Sequence, residues 1–229
     1  MPEIRAFTTS DRVLILGTTG AGKSELEKAV LAATDAEHWL TFDQKRSFTP
    51  FGKRGKDWWL VGTPTGFLWR YPRIVFRPKP GYNNGSTMAF VLRRTYEKQV
   101  QTPKDKRQKS FIYVDEALKL TKDSKTAANE LANIFVTGRE IQLGVHIASQ
   151  RPRYIPIECR SEANIIVVYT LGYEEDEVEV SKLLKGKVTV RELQSLEPYW
   201  FYMAIKKPGG QFDVAKYPPI TIGEEKVSS

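Results

Sequence analysis

A chain of 229 residues with 41% apolar side chains can bury one large core, so the expectation is a single main domain over 1–207 and a tail over 208–229 that packs on the domain or on a neighbouring subunit. No run approaches the roughly 18 uncharged apolar residues of a membrane span, the first residues lack an apolar signal region, and a lone Cys159 cannot form an internal disulfide, which excludes an intrinsic membrane segment and a disulfide-built scaffold; the expected location is the cytoplasm. The net charge of +8 suits a polyanionic partner, although an excess of lysine for solubility gives the same sum.

Taken in chain order, apolar runs rich in strand formers recur at Val13 to Leu16, Trp39 to Phe42, Ile74 to Phe76, Phe111 to Val114, Val145 to Ala148 and Ile165 to Tyr169. Helical spacing falls between them, at Lys23 to Ala33, Thr87 to Val100 and Thr126 to Phe135, and after them at Glu174 to Leu184. A further strand is expected at Tyr199 to Ile205, and the stretch from Pro208 reads as loop. This alternation predicts an α/β fold with a mainly parallel sheet and helices on both faces. Residues 44–72 form the longest irregular stretch, with Trp58, Trp59 and Trp69 among basic residues and glycines.

The first strand runs into Gly17-Thr18-Thr19-Gly20-Ala21-Gly22-Lys23-Ser24, a G-x-x-x-x-G-K-S loop between a strand and a helix. In that setting backbone amides and the helix N-terminus cradle phosphates, Lys23 reaches the terminal phosphates and Ser24 supplies a ligand to Mg²⁺. The expected ligand is ATP with Mg²⁺. The strand Phe111 to Val114 ends in Asp115 and Glu116. Two acids there suit a site in which Asp115 holds Mg²⁺ and Glu116 deprotonates an attacking water. A helix cap is the competing reading. Glu directly after Asp favours hydrolysis over phosphotransfer, which must exclude water. With two histidines and one cysteine scattered along the chain, no zinc cluster is expected.

Beyond these acids come Thr137-Gly138-Arg139-Glu140, then Leu143-Gly144-Val145-His146-Ile147-Ala148-Ser149-Gln150-Arg151-Pro152. Together with the phosphate loop this arrangement resembles the HerA/FtsK superfamily of ring-forming, DNA-pumping ATPases. The short chain is most like the viral and phage genome-packaging members, and the separation of phosphate loop and acids by extra strands is similar to the additional-strand, RecA/FtsK-like P-loop ATPases. Asp43-Gln44-Lys45 resembles the superfamily's Asp-Pro-Lys, with Gln44 in place of the proline. The resemblance covers roughly residues 10–170. It implies that Gln150 senses the γ-phosphate or the attacking water, and that Arg139 is an arginine finger reaching a neighbour's ATP, with Arg151 the second candidate. His146, inside a buried-looking strand, reads as a core residue.

The function so implied is an ATP-driven double-stranded DNA translocase packaging a viral genome into a capsid, acting in the host cytoplasm or on the virion. The expected partners are double-stranded DNA without sequence specificity, a homo-oligomeric ring (usually a hexamer, with a pentamer as the alternative) and a capsid or portal vertex protein. The alternatives are a DNA pump for conjugation, chromosome transfer or phage export, and a nucleotide-gated assembly switch; a small-molecule kinase comes third. Candidate DNA contacts are the basic loop residues Lys45, Arg46, Lys53, Arg54 and Lys56, and separately Lys104, Lys106, Arg107 and Lys109. A solvated surface is the competing reading for both runs.

Overall fold

The computed structural model describes residues 7–64, 70–117 and 124–220; Trp69 lies outside them, as do 1–6 and 221–229. The strands are β1 (Arg12–Leu16), β2 (His38–Asp43), β3 (Trp59–Val61), β4 (Arg73–Phe76), β5 (Ser110–Asp115), β6 (Leu143–Ser149), β7 (Ile165–Val168), β8 (Phe201–Lys206) and β9 (Phe212–Tyr217). They form one sheet in the order β3-β4-β2-β5-β6-β1-β7-β8-β9. The first seven positions are parallel, and β8 and β9 continue the sheet antiparallel. The parallel strands are apolar on both sides, as a sheet covered on both faces requires. Register brings the working ends together: Leu16 lies opposite Ser149 and Val168, and Asp43 opposite Asp115.

Alternate side chains divide between two cores. Leu14, Ile112, Val114, Val145 and Ile166 face one, which is covered by α2 (Gly85–Gln101), α3 (Lys125–Thr137), α4 (Ile157–Glu162), α5 (Glu174–Leu183) and α6 (Val190–Gln194). Side-chain caps start several of these helices: Asn84 accepts from the amide of Thr87, Ser124 from that of Ala127, and Thr189 with Glu192 forms a capping box. Val13, Ile15, Phe111, Tyr113 and Ala148 face the second core.

Among the described residues that second face has one helix over it, α1 (Lys23–Ala33), and the crossover 44–58 covers much of the rest. Phe48 and Trp58 are the buried anchors of this crossover, and the Trp58 indole N–H donates to the Gly52 carbonyl at 3.3 Å. Trp58 is therefore a core cap. Trp59 stacks on Tyr71 at 4.8 Å. Under α1, the fully buried Glu27 lies 3.2 Å from Nδ1 of His146, whose ring packs edge-on to Phe111 and Phe7; this ties the phosphate-loop helix to β6 and makes His146 a core residue.

The stretch from Pro208 is not loop throughout. Phe212–Tyr217 pairs with β8 as β9, held by buried Phe212 and Tyr217 at its ends. Its middle residues are only partly covered, so the pattern Phe-Asp-Val-Ala-Lys-Tyr between glycines and prolines carries little strand signal.

Candidate active site

The phosphate loop connects the buried end of β1 to α1. Gly22 caps α1 at φ 106°, a left-handed conformation that a residue with Cβ resists. No side chain caps this helix, and while the Glu25 amide donates to the Gly22 carbonyl at 3.1 Å, those of Lys23 and Ser24 remain for an anion. Nζ of Lys23 donates to the carbonyls of Gly17 and Thr18, both at 2.7 Å. Burial, then the nearby charge of Lys45, lowers the Lys23 pKa from 10.5 to about 8.

That shift gives a test with a definite sign. Below about pH 8 the fold bears a buried cation it disfavours, and the penalty is relieved as pH rises towards 10.5. A polyphosphate that restores the charge must then bring a proton. We expect binding to take up close to one proton at about pH 9 and almost none through Lys23 at pH 7, seen as a dependence of binding enthalpy on buffer ionisation heat.

The acids stand two strands away. Since β6 lies between β1 and β5, Gln150 at the end of β6 comes between the phosphate loop and Asp115-Glu116. Asp115 is buried, and desolvation raises its pKa. Its Oδ1 accepts from the Tyr113 hydroxyl at 3.2 Å, and Ser24 lies beside the same phenol. Its Oδ2 has no partner among the described residues. A buried carboxylate oxygen left open, with a serine beside the same tyrosine, fits an oxygen-seeking cation such as Mg²⁺. Tyr113 was not singled out from the sequence. The available signal is its spacing, two residues before Asp115 on one face of a strand.

Glu116 leaves β5 with φ 65°, strain of a kind that clusters at functional sites. Its Oε2 accepts from Nε2 of Gln150 at 2.6 Å and meets Nζ of Lys45 at 3.0 Å, while Oε1 has no partner among the described residues. Asp43 holds Lys45 there. It accepts from the amides of Ser47 and Phe48 and from Nε of Arg77 at 2.8 Å, folding the turn that follows β2. Next to it Gln44 is buried, with neither amide atom paired among the described residues. Thus Lys23, Ser24, Lys45, Asp115, Glu116 and Gln150 converge at one end of the sheet.

Other sequence candidates are placed elsewhere. Arg139 sits on the 3-10 turn Gly138–Ile141, immediately before β6, and is exposed. Gly138 is needed because a Cβ there would lie 2.5 Å from the Leu143 carbonyl oxygen. With seven residues in β6, the turn is about 20 Å from the phosphate loop, at the opposite edge. Arg151 is held within its own chain, 2.6 Å from the buried Asp176 and 3.9 Å above the Tyr173 ring.

The first basic run is not one patch. Lys45 enters the site just described, whereas exposed Lys53, Arg54 and Lys56 form a tight turn beside the far end of α1 and the starts of β2 and β4. Arg46, exposed at φ 61°, follows Lys45. The second run precedes β5, on the edge that carries Arg139. Lys104 and Lys106 are exposed, Arg107 donates to the carbonyls of Thr102 and Glu140, and Lys109 pairs with Asp35 at 2.8 Å. No described helix is long and apolar enough to cross a membrane.

No family model and no curated protein sequence matches the chain. Solved structures do. The genome-packaging NTPase B204 of Sulfolobus turreted icosahedral virus 2, in complex with AMPPCP, superposes with a TM-score of 0.71 over 93% of this chain and 100% of that one, at 16% identity. The DNA-packaging ATPase B204 of Sulfolobus turreted icosahedral virus gives 0.67 over 93% and 98%, at 17% identity. The bacterial conjugative coupling protein TrwB gives 0.66 over 93% and 85%, at 11% identity. At these identities the likeness is one of fold, and the chain has the mainly parallel, open-sheet P-loop NTPase fold of the FtsK/RecA type, as its resemblance to the HerA/FtsK superfamily implies.

Proposed function

We propose that the protein is an ATP-driven double-stranded DNA translocase that packages a viral genome. The observation that carries the catalytic part is the convergence of Lys23, Lys45, Asp115, Glu116 and Gln150 at the end of one parallel sheet. In this reading Lys23 and the loop amides bind the phosphates, and Ser24 with Asp115 would hold Mg²⁺, which would offset phosphate charge. Glu116 takes a proton from water as the water oxygen bonds to the γ-phosphorus and the bond to the β-phosphate oxygen breaks, leaving ADP. Gln150 orients that water and reports its consumption to the following loop. Arg139 of a neighbouring subunit stabilises the transition-state charge, in a homo-oligomeric ring.

Lys45 belongs to this chemistry rather than to DNA contact. We expect Lys45→Ala to lower phosphate release at saturating ATP by about 10²-fold and to leave the salt dependence of DNA binding unchanged. Replacing Lys53 and Lys56 with alanine should instead reduce the slope of log affinity against log salt by about 1 to 2.

Support for packaging is that the likeness to the viral packaging NTPases spans 93% of this chain and nearly all of theirs, while the fold of a conjugative coupling protein keeps DNA transfer by another route as the second reading. The test is phosphate release from Mg-ATP with and without linear double-stranded DNA, at two salt concentrations. Stimulation that fades with salt supports a motor gripping phosphates; turnover indifferent to DNA supports the assembly switch.

A further inference from the structure

A cavity of about 530 Å³ opens beside the phosphate loop, within the range of small-molecule sites. One wall is the loop with the start of α1, and Lys45 and Ser47 close the end nearest the acids. The remaining wall, Tyr169, Tyr199, Pro219 and Ile220, comes from the ends of β7 and the β8–β9 extension, on the side of β1 away from Glu116. These residues take no part in the chemistry described above. We propose that they form a nucleobase shelf: the Tyr199 ring is a stacking platform and Pro219 with Ile220 an apolar back, holding the purine of the nucleotide whose phosphates the loop binds.

Position supports this first. A Cβ built on Gly22 would lie 3.2 Å from the Tyr169 ring and 3.7 Å from the Tyr199 ring, so both rings stand at the loop itself. A nucleotide with its terminal phosphate towards Glu116 extends across the cavity towards β7, where these rings are. Tyr169 is buried and forms the floor, whereas Tyr199 is 56% exposed on the cavity wall. An aromatic face of that kind binds a base by stacking.

The backbone supplies an independent observation. Residues 197–200 form a turn closed by the Trp200 amide on the Glu197 carbonyl at 3.1 Å, with Pro198 followed by Tyr199 at φ 66°. Pro in the first central position and positive φ in the second is the type II pattern, which ordinarily places glycine where Tyr199 stands. A bulky residue held there is strained, and such strain concentrates at ligand clamps. The same strain provides a clean variant, because Tyr199→Gly removes the ring while giving the turn the residue it accommodates best.

The shelf rests on the nucleotide reading, so the test separates the two. Binding of Mg-ATP and of Mg-tripolyphosphate, which has no base, is measured for the wild type, Tyr199→Gly and Tyr199→Phe, together with thermal stability. We expect Tyr199→Gly to bind ATP roughly 5- to 100-fold more weakly, to bind tripolyphosphate as the wild type does, and to melt no lower. Tyr199→Phe should keep ATP affinity. If Tyr199→Gly binds ATP normally, or weakens both ligands equally, the base lies elsewhere and the shelf is wrong. A wild type that binds neither ligand overturns the nucleotide reading itself, and the shelf with it.

Discussion

Glu116→Gln is expected to bind Mg-ATP as tightly as the wild type and to release phosphate roughly 10²- to 10⁴-fold more slowly. The substitution is isosteric. The glutamine carbonyl can still accept from Nε2 of Gln150, which lies 2.6 Å from Oε2 of Glu116, so the local hydrogen bond survives while the basic oxygens are lost. Nucleotide affinity depends on the loop and Lys23, which the change does not touch. Equilibrium binding beside single-turnover hydrolysis separates the two quantities. Normal turnover in this variant would remove Glu116 as the base and leave its left-handed backbone, at φ 65°, without a catalytic explanation.

Arg139→Ala should lower hydrolysis by about 10³-fold or more, and the defect should be complemented between subunits. The reason is topological: Arg139 precedes β6 and the phosphate loop follows β1, its parallel neighbour, so the two lie at opposite edges and Arg139 cannot serve its own site. A mixture of Arg139→Ala and Lys23→Ala chains pairs an intact phosphate loop with an intact arginine at about a quarter of ring interfaces when mixed equally. Activity should therefore reappear on mixing two inactive proteins. No recovery at any ratio would count against a finger acting across an interface.

The phosphate loop was legible in the sequence because its chemistry is local: eight consecutive residues carry the glycine conformations, the cation and the hydroxyl. Seven strands and four helices were likewise legible from the sequence pattern, and their observed ends differ from the expected ones by at most two residues. The placing of Lys45 was not, since a lysine in a loop reads the same whether it faces solvent or a buried carboxylate. Asp43 and Arg77, 34 positions apart, decide that, and only pairing of β2 with β4 brings them together. Tyr113 escaped notice because an aromatic in a buried strand ordinarily reads as core, and its hydroxyl matters only once α1 sets Ser24 against it. β3 escaped because two half-covered residues and a buried Val61 are too few to carry a periodicity. The 44–58 crossover shows the same limit: it covers a sheet face through two anchors, Phe48 and Trp58, with no helical repeat to announce it.

Movement of the chain along duplex DNA, driven by ATP hydrolysis at this site, can be read from displacement of a triplex-forming strand from linear duplex DNA. Displacement is expected with Mg-ATP, none with a non-hydrolysable analogue, and none with Glu116→Gln. Phosphate release that proceeds while the third strand stays bound would contradict it, and would leave a nucleotide-gated assembly protein in place of a motor.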